Sequence, residues 1–308
     1  MHGTLIIDKP TGITSHDVVA RVRRIIGERR VGHTGTLDPF ATGVLVVLVG
    51  KATRLLQFLS GNEKEYEAAI RFGYATDTGD VTGQRVDVPA NTQAAASLRA
   101  ADIETAMASL RGEISQIPPM YSAKQVKGQR LYELARRGEQ IERAPVSVTI
   151  SRFDAIAVNG ELLSVPADGT AELQVRIICS AGTYVRTLAE DLGTRLGIGA
   201  HVATLRRTRA GRFAIKSAIT LERLAELADE NAVANQMISL DATVGHLPAI
   251  VMNESDVRRV THGHDLELDS DHQDQQRVRM QNVAGELLAV GIYDSSRRVI
   301  HPTVVFGD

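Results

Sequence analysis

Residues 31–50 read VGHTGTLDPFATGVLVVLVG. The first half is polar and rich in glycine and threonine, with an Asp38-Pro39 step of the kind that makes turns. The second half, 43–49, is dominated by branched apolar residues, as in a strand buried on both faces. Asp38 is therefore expected in a rigid polar loop that runs straight into a core strand, where partial loss of water can tune a carboxylate. The stretch lacks a GxxxxGK[ST] pattern, so its glycines do not make a nucleotide-phosphate loop. On its N-terminal side, residues 3–7 predict a short strand. Ser15 then caps a helix that buries Val18, Val19, Val22, Ile25 and Ile26 and stops at Gly27. On its C-terminal side, Thr53–Leu59 reads as a short amphipathic helix. Alternation over 65–72 puts Tyr66, Ala68, Ile70 and Phe72 on one strand face.

Further out, Asp77–Gly83 reads as a turn and 91–110 as a helix ended near Gly112. The paired prolines of IPPMYSA, 117–123, exclude regular helix there, and Leu131–Arg137 predicts a helix. Strands follow over 146–157 and 172–179, with a surface loop, 158–171, between them. Val185, Leu188, Leu192 and Leu196 are in helical register over 184–196, and a strand is expected over 201–207. After Thr220 come a helix (220–229), a linker to Pro248, a helix (254–261) and an acidic tract, DLELDSDHQD (265–274). QRVRMQN, ELLAVGIYD and HPTVVF then read as three strands. This irregular mixture predicts an α+β fold rather than a regular βαβ series.

The chain has 308 residues, 43% hydrophobic and 23% charged, which is ordinary globular composition and excludes disorder as the main state. The length suits one large and one small domain, placed at 1–245 and 246–308. The longest apolar run, 43–50, is too short for a bilayer, and the N-terminus carries no signal-peptide pattern. A single cysteine, Cys179, excludes an intrachain disulfide and suits a reducing cytoplasm. His262 and His264 are too close for a helical metal pair. HExxH, GxSxG and a GxGxxG after a strand are all missing, which removes support for metalloprotease, serine hydrolase and Rossmann readings. The net charge of −2 conceals a split. Residues 217–308 hold 7 Lys+Arg against 15 Asp+Glu, whereas Arg206–Lys216 carries five cations and no acid. The stretch 124–143 carries six cations against three acids. Both are candidate phosphate-holding faces.

Four stretches could carry chemistry. GHTGTLDPFATGVL holds Asp38. GTYVRTLAEDLG places Arg186 in a first helical turn, where its guanidinium could pair with a carboxylate from another loop. KEYEAAIRFG offers Tyr66 as a core aromatic or a ring that stacks on a base. IPPMYSAKQVKGQRLYELARRG interleaves cations with tyrosine. With IIDKPTGITSHDVV at 6–19 and HVATLRRTRAGRF at 201–213, they resemble, in order, the TruB family of tRNA pseudouridine synthases over about residues 5–215. The tail at 275–306 is similar in strand pattern to the small PUA-type RNA-binding domain of such enzymes.

The resemblance implies a central mixed, mostly antiparallel sheet flanked by helices, with a small β-rich PUA-like domain behind it. It implies conversion of uridine to pseudouridine at position 55 in the T loop of tRNA. The partner is tRNA, and the enzyme acts as a monomer, with no guide RNA, cofactor or metal. Asp38 becomes the essential catalytic residue, Tyr66 the ring against the target uracil, and Arg186 the partner of Asp38. His33 fills space left by flipped nucleotides, Leu205 packs on the base, and Lys9 of the opening KP motif joins the substrate-binding set. One departure stands out: Lys124 follows YSA directly, and Gln125 takes the place of the family's usual lysine. The reaction breaks C1′–N1 and forms C1′–C5 with nothing added. One shielded carboxylate suffices, whether it attacks the base, attacks the sugar, or removes the C2′ proton on the glycal route favoured for this family. An RNA-binding module without catalysis, a nucleosidase that releases uracil, and a guide-RNA-dependent subunit are the competing readings.

Overall fold

The computed structural model describes residues 1–86, 92–122, 125–126, 129–130, 137, 139, 141–166, 168–268 and 271–307. Lys124 and nearly all of the helix expected over 131–137 lie outside the described residues, as does the side chain of Gln125.

Among the described residues, ten strands make the larger sheet. Its path runs β1 (Gly3–Lys9), β3 (Thr42–Val49), β11 (Ala200–Ala210), β4 (Lys64–Phe72), β10 (Ala171–Cys179), β8 (Val146–Ile156) and β5 (Gly112–Gln116). β2 (Val31–His33) joins β3, β9 (Leu163–Ser164) joins β10, and β12 (Phe213–Ala214) joins β11. β3 and β11 run parallel where Thr42 and Gly43 meet Arg206 and Arg207, and the other neighbours on the path run antiparallel. β6 (Gln125–Val126) and β7 (Gln129–Arg130) form a separate two-stranded piece.

The apolar alternation decides which face is covered. Tyr66, Ala68, Ile70 and Phe72 of β4 share a core with Leu173, Val175 and Ile177 of β10 and with Leu188 and Leu192 of α4 (Val185–Arg195). Two helices replace the one expected over 91–110: α2 (Thr92–Ala96) and α3 (Ala100–Ala108). Ser97 turns its hydroxyl back onto the Ala94 carbonyl at 3.1 Å, and Arg99 is extended, so the helix breaks between them.

A second core forms where α1 (Ser15–Ile26) and α5 (Leu221–Asp229) cover β1 and β3. Thr14, not Ser15, caps α1: its hydroxyl accepts from the Asp17 amide while the Asp17 carboxylate accepts from the Thr14 amide. Ser15 is thereby free to bond elsewhere. The expected linker to Pro248 is instead packed structure, with one-turn helices α6 (Val233–Gln236) and α7 (Leu240–Thr243). The Thr243 and Thr4 hydroxyls meet at 2.8 Å, and Thr4 and Ile238 exchange backbone bonds, which docks this segment along β1.

The C-terminal part forms a five-stranded sheet in the order β13 (Ala249–Val251), β15 (Arg277–Gln281), β16 (Leu287–Asp294), β17 (Val299–Val305), β14 (Leu266–Glu267). Helix α8 (Glu254–Thr261) packs on it. The acidic tract is anchored rather than simply solvated, because Asp265 binds Arg297 at 2.6 Å and His301 at 2.8 Å.

Candidate active site

The loop from Thr34 to Ala41 between β2 and β3 is held almost atom by atom. Arg207 is 1% exposed and aims its guanidinium at the Gly35, Thr36 and Val44 carbonyls, at 3.0, 3.4 and 2.7 Å. The Ser15 hydroxyl accepts from the Leu37 amide at 2.8 Å and donates to the Leu37 carbonyl at 3.2 Å. Asp38 and Ala41 close a turn on their own backbone. Lys9 is 0% exposed and donates to the Pro10, Pro39 and Ala41 carbonyls, at 2.9, 3.2 and 2.7 Å. Thr11 donates to Phe40 O. Every carbonyl from Gly35 to Ala41 thus has a donor, so the carboxylate that the loop presents has little freedom to move.

That carboxylate meets a fork. Arg186, in the first turn of α4, places Nε 3.0 Å from Asp38 Oδ2 and Nη2 3.2 Å from Asp38 Oδ1. Its remaining protons go to the Tyr121 carbonyl at 2.7 Å and the Thr78 carbonyl at 2.9 Å, leaving the residue 4% exposed. The helix start that carries it is fixed by Gln116, whose side chain pairs with both the Tyr184 amide and the Tyr184 carbonyl. Asp80 stands behind, its Oδ2 3.6 Å from Arg186 Nη1 and its Oδ1 accepting from Thr78 and Thr82.

Burial pushes the Asp38 carboxyl above its ordinary value. Arg186 opposes that shift and Asp80 adds to it. Its side chain remains 32% exposed to the cavity, which limits the effect. Burial holds Lys9 down to about 8, and it raises the Tyr66 hydroxyl.

Asp38 and Arg186 line a cavity of about 290 Å³ together with Tyr66, Leu205, Lys64 and Tyr184. This is close to the lower end, roughly 300 Å³, of small-ligand pockets, and suits one nucleotide. Tyr66 and Leu205 come from adjacent strands and supply an apolar wall beside the carboxylate. The structure therefore brings Asp38, Tyr66, Arg186 and Leu205 around one space. His33 lies just outside the cavity lining, at the start of the loop, with its ring edge-on to His16 at 5.6 Å. Burial lowers its pKa to about 4, so the ring is neutral at pH 7. Lys9 departs from expectation: it lies beneath the loop with all three protons on carbonyls, out of reach of a substrate.

Of the cations in the basic run 206–216 only Arg207 is buried, and Arg212 and Lys216 are exposed. Arg206 pairs with Asp8 at 2.7 Å, Arg209 with Glu63 and Glu65, and Arg212 binds the Ala242 carbonyl, while Arg207 is buried. The sequence reading missed Asp80, although hydroxyls two residues to either side, Thr78 and Thr82, were a signal that it is anchored. It also missed Gln116 and the scaffold role of Arg207.

The family model for TruB family pseudouridylate synthase (N-terminal domain) matches residues 23–185, and that for the tRNA pseudouridylate synthase B C-terminal domain matches residues 186–248. The chain belongs to the TruB family. The two TruB matches meet at the first turn of α4, so Asp38 and Arg186 fall on opposite sides of the seam. A relative named tRNA pseudouridine synthase B, from Thermobifida fusca, is 45% identical over 262 residues, 85% of each chain. One of the same name from Solibacter usitatus is 39% identical over 308 residues, 99% of this chain and 100% of that one. A crystal structure of a Cbf5-Nop10-Gar1 complex matches 99% of this chain and 85% of its own, with a TM-score of 0.73 at 28% identity. The sheet with its flanking helices is the pseudouridine synthase fold, and the five-stranded C-terminal sheet is consistent with a PUA-like domain. As a TruB family member the chain is an isomerase that converts uridine to pseudouridine. Among the described residues, no helix is long and apolar enough to cross a membrane.

Proposed function

We propose that this chain isomerises the uridine at position 55 in the T loop of tRNA, acting alone, as a monomer, in the cytoplasm. The observation that carries the reading is the forked Asp38–Arg186 pair at the wall of a one-nucleotide cavity. The target nucleotide leaves its stack at a cost of a few kcal/mol, recovered by packing between Tyr66 and Leu205. Asp38, ionised and oriented by Arg186, then acts at the sugar–base junction. The C1′–N1 bond breaks, the base turns, C1′ joins C5, and the C5 hydrogen leaves as a proton while N1 takes one up from water. On the glycal route Asp38 takes the C2′ proton and returns it, so no cofactor or metal enters the balance. His33 occupies the space the flipped nucleotides vacate. Residues 1–245 carry the chemistry, and 246–308 form the PUA-like part that grips RNA. Two relatives named tRNA pseudouridine synthase B, aligned over most of their own length, favour tRNA as substrate and a stand-alone enzyme over a guided subunit.

Tritium release from tRNA carrying 5-tritiated uridine tests this directly. The wild type should release one equivalent per tRNA from the T loop, and Asp38→Asn none. Release of free uracil would support a nucleosidase instead. Tight binding of tRNA with no release would leave an RNA-binding protein.

A further inference from the structure

The fold leaves one face of α1 open. His16, Ala20, Arg23, Arg24 and Gly27 follow each other along it at helical spacing, and all are exposed. Ala20 and Gly27 floor a shallow groove rimmed by Arg23, Arg24 and Arg29. Arg23 is steadied by donating to the Val31 carbonyl at 2.7 Å. Among the described residues, Arg24 and Arg29 make no side-chain hydrogen bond or ion pair. Glu28 is the one acid in the groove, and its carboxylate is taken up by the Arg30 amide at 2.8 Å.

One helical turn before Ala20 on the same face of α1, His16 packs against His33, and the residue after His33, Thr34, begins the cavity wall, so the face that bears the groove continues toward the cavity. From His16 to Arg24 is about 12 Å at ~1.5 Å per residue. That spans roughly three nucleotides of a stacked strand at ~3.4 Å each. Arg206, Arg207, Arg209 and Arg212 are engaged within the protein, whereas Arg24 and Arg29 of the groove on α1 are not.

We propose that this face of α1 is a track for the RNA backbone, with Arg23, Arg24 and Arg29 holding phosphates of the strand that leads away from the nucleotide at Asp38. The proposal rests on the reading that the chain acts on RNA, and it adds where the strand runs. The full chain with Arg24→Ala and Arg29→Ala is compared with the wild type by filter binding to a T-arm hairpin between about 50 and 200 mM salt. Losing phosphate contacts should lower the slope of log Kd against log salt by about 1 per contact, near 2 in all. KM should rise roughly tenfold while kcat at saturating RNA is kept. The matched pair Arg99→Ala and Arg223→Ala, whose side chains sit in exposed ion pairs elsewhere, should keep the wild-type slope. On a short fragment ending beside the target uridine the two arginine-track substitutions should have no effect.

An unchanged slope on the hairpin, or a slope lowered equally by both pairs, overturns the track. Hairpin binding with no pseudouridine formed would overturn the proposed reaction, while the slope comparison would still decide the track.

Discussion

At the residue scale, the fork of Arg186 is what a lysine cannot supply. Arg186→Lys keeps a charge near Asp38 but loses two-point contact and the bonds to Thr78 and Tyr121 carbonyls. We expect kcat to fall by about 10²-fold with RNA affinity retained, as judged by single-turnover rates beside filter binding. Asp38→Asn should cost on the order of 10²–10⁴-fold or more in the same assay, since it removes the base of the proposed mechanism. The pH profile follows from the environment of Asp38. In the proposed mechanism the carboxylate is the working form, and burial raises its pKa, so kcat should climb through an acid limb lying above the ordinary carboxylate value. Asp80→Asn removes one cause of that rise, so the limb should move to lower pH. Its plateau should drop by about tenfold, because Arg186 loses an anionic neighbour. A limb that stayed in place would mean that Asp80 does not act through this pair. The sequence could announce Asp38 and Arg186 because each sits in a distinctive local string. It could not announce Lys9 as scaffold, since that depends on carbonyls 30 and 32 residues away.

At the element scale, the loop before β3 depends on a close backbone approach. Gly43 has φ +100, and a Cβ there would lie 2.2 Å from the Arg207 carbonyl oxygen, where neither backbone can yield. Gly43→Ala should cost at least about 1–3 kcal/mol from strain alone and spread the β3–β11 contact, read as a lower urea midpoint and lost turnover. Lys9 gives the same loop a pH signature. Between about 8 and the ordinary lysine value of 10.5 the unfolded chain holds a proton that the folded chain has released. This group therefore makes stability rise with pH across that window, and contributes no slope below it. In Lys9→Met the rise should be smaller when urea midpoints at the two ends of the window are compared. Most elements were legible as periodicity: the alternation of β4, the apolar run of β3, the helical stripes of α1 and α4. The losses have local causes. Asn159-Gly160 within the expected surface loop is a tight hairpin signal, with φ of 54 and 85, and Val158 and Glu161 pair across it. The helix over 91–110 broke at Ser97, whose back-bonded hydroxyl no apolar pattern reveals.

At the scale of the whole molecule, the two sheets are joined by side chains rather than by a loose tether. Leu55 and Phe58 of the 3-10 helix Gly50–Phe58 pack with Leu287, Val290, Val304 and Phe306. Lys51 donates to the Phe306 carbonyl at 3.2 Å, Arg54 bonds the Val305 carbonyl, and Arg277 lies 5.4 Å over the Phe58 ring. Phe58→Ala should remove about 3–5 kcal/mol and turn a single calorimetric transition into two. The larger sheet has a further consequence. Asp38 and Arg186 are separated by 148 residues, and the strands that bring them together, β3, β11, β4 and β10, are gathered from both halves of the chain. Contacts of such long range close slowly and late. The helices form from local sequence, whereas the Asp38–Arg186 pair closes only when strands from both halves have met. On the proposed mechanism an unfinished copy would carry its arginines but not the paired carboxylate on which the reaction depends.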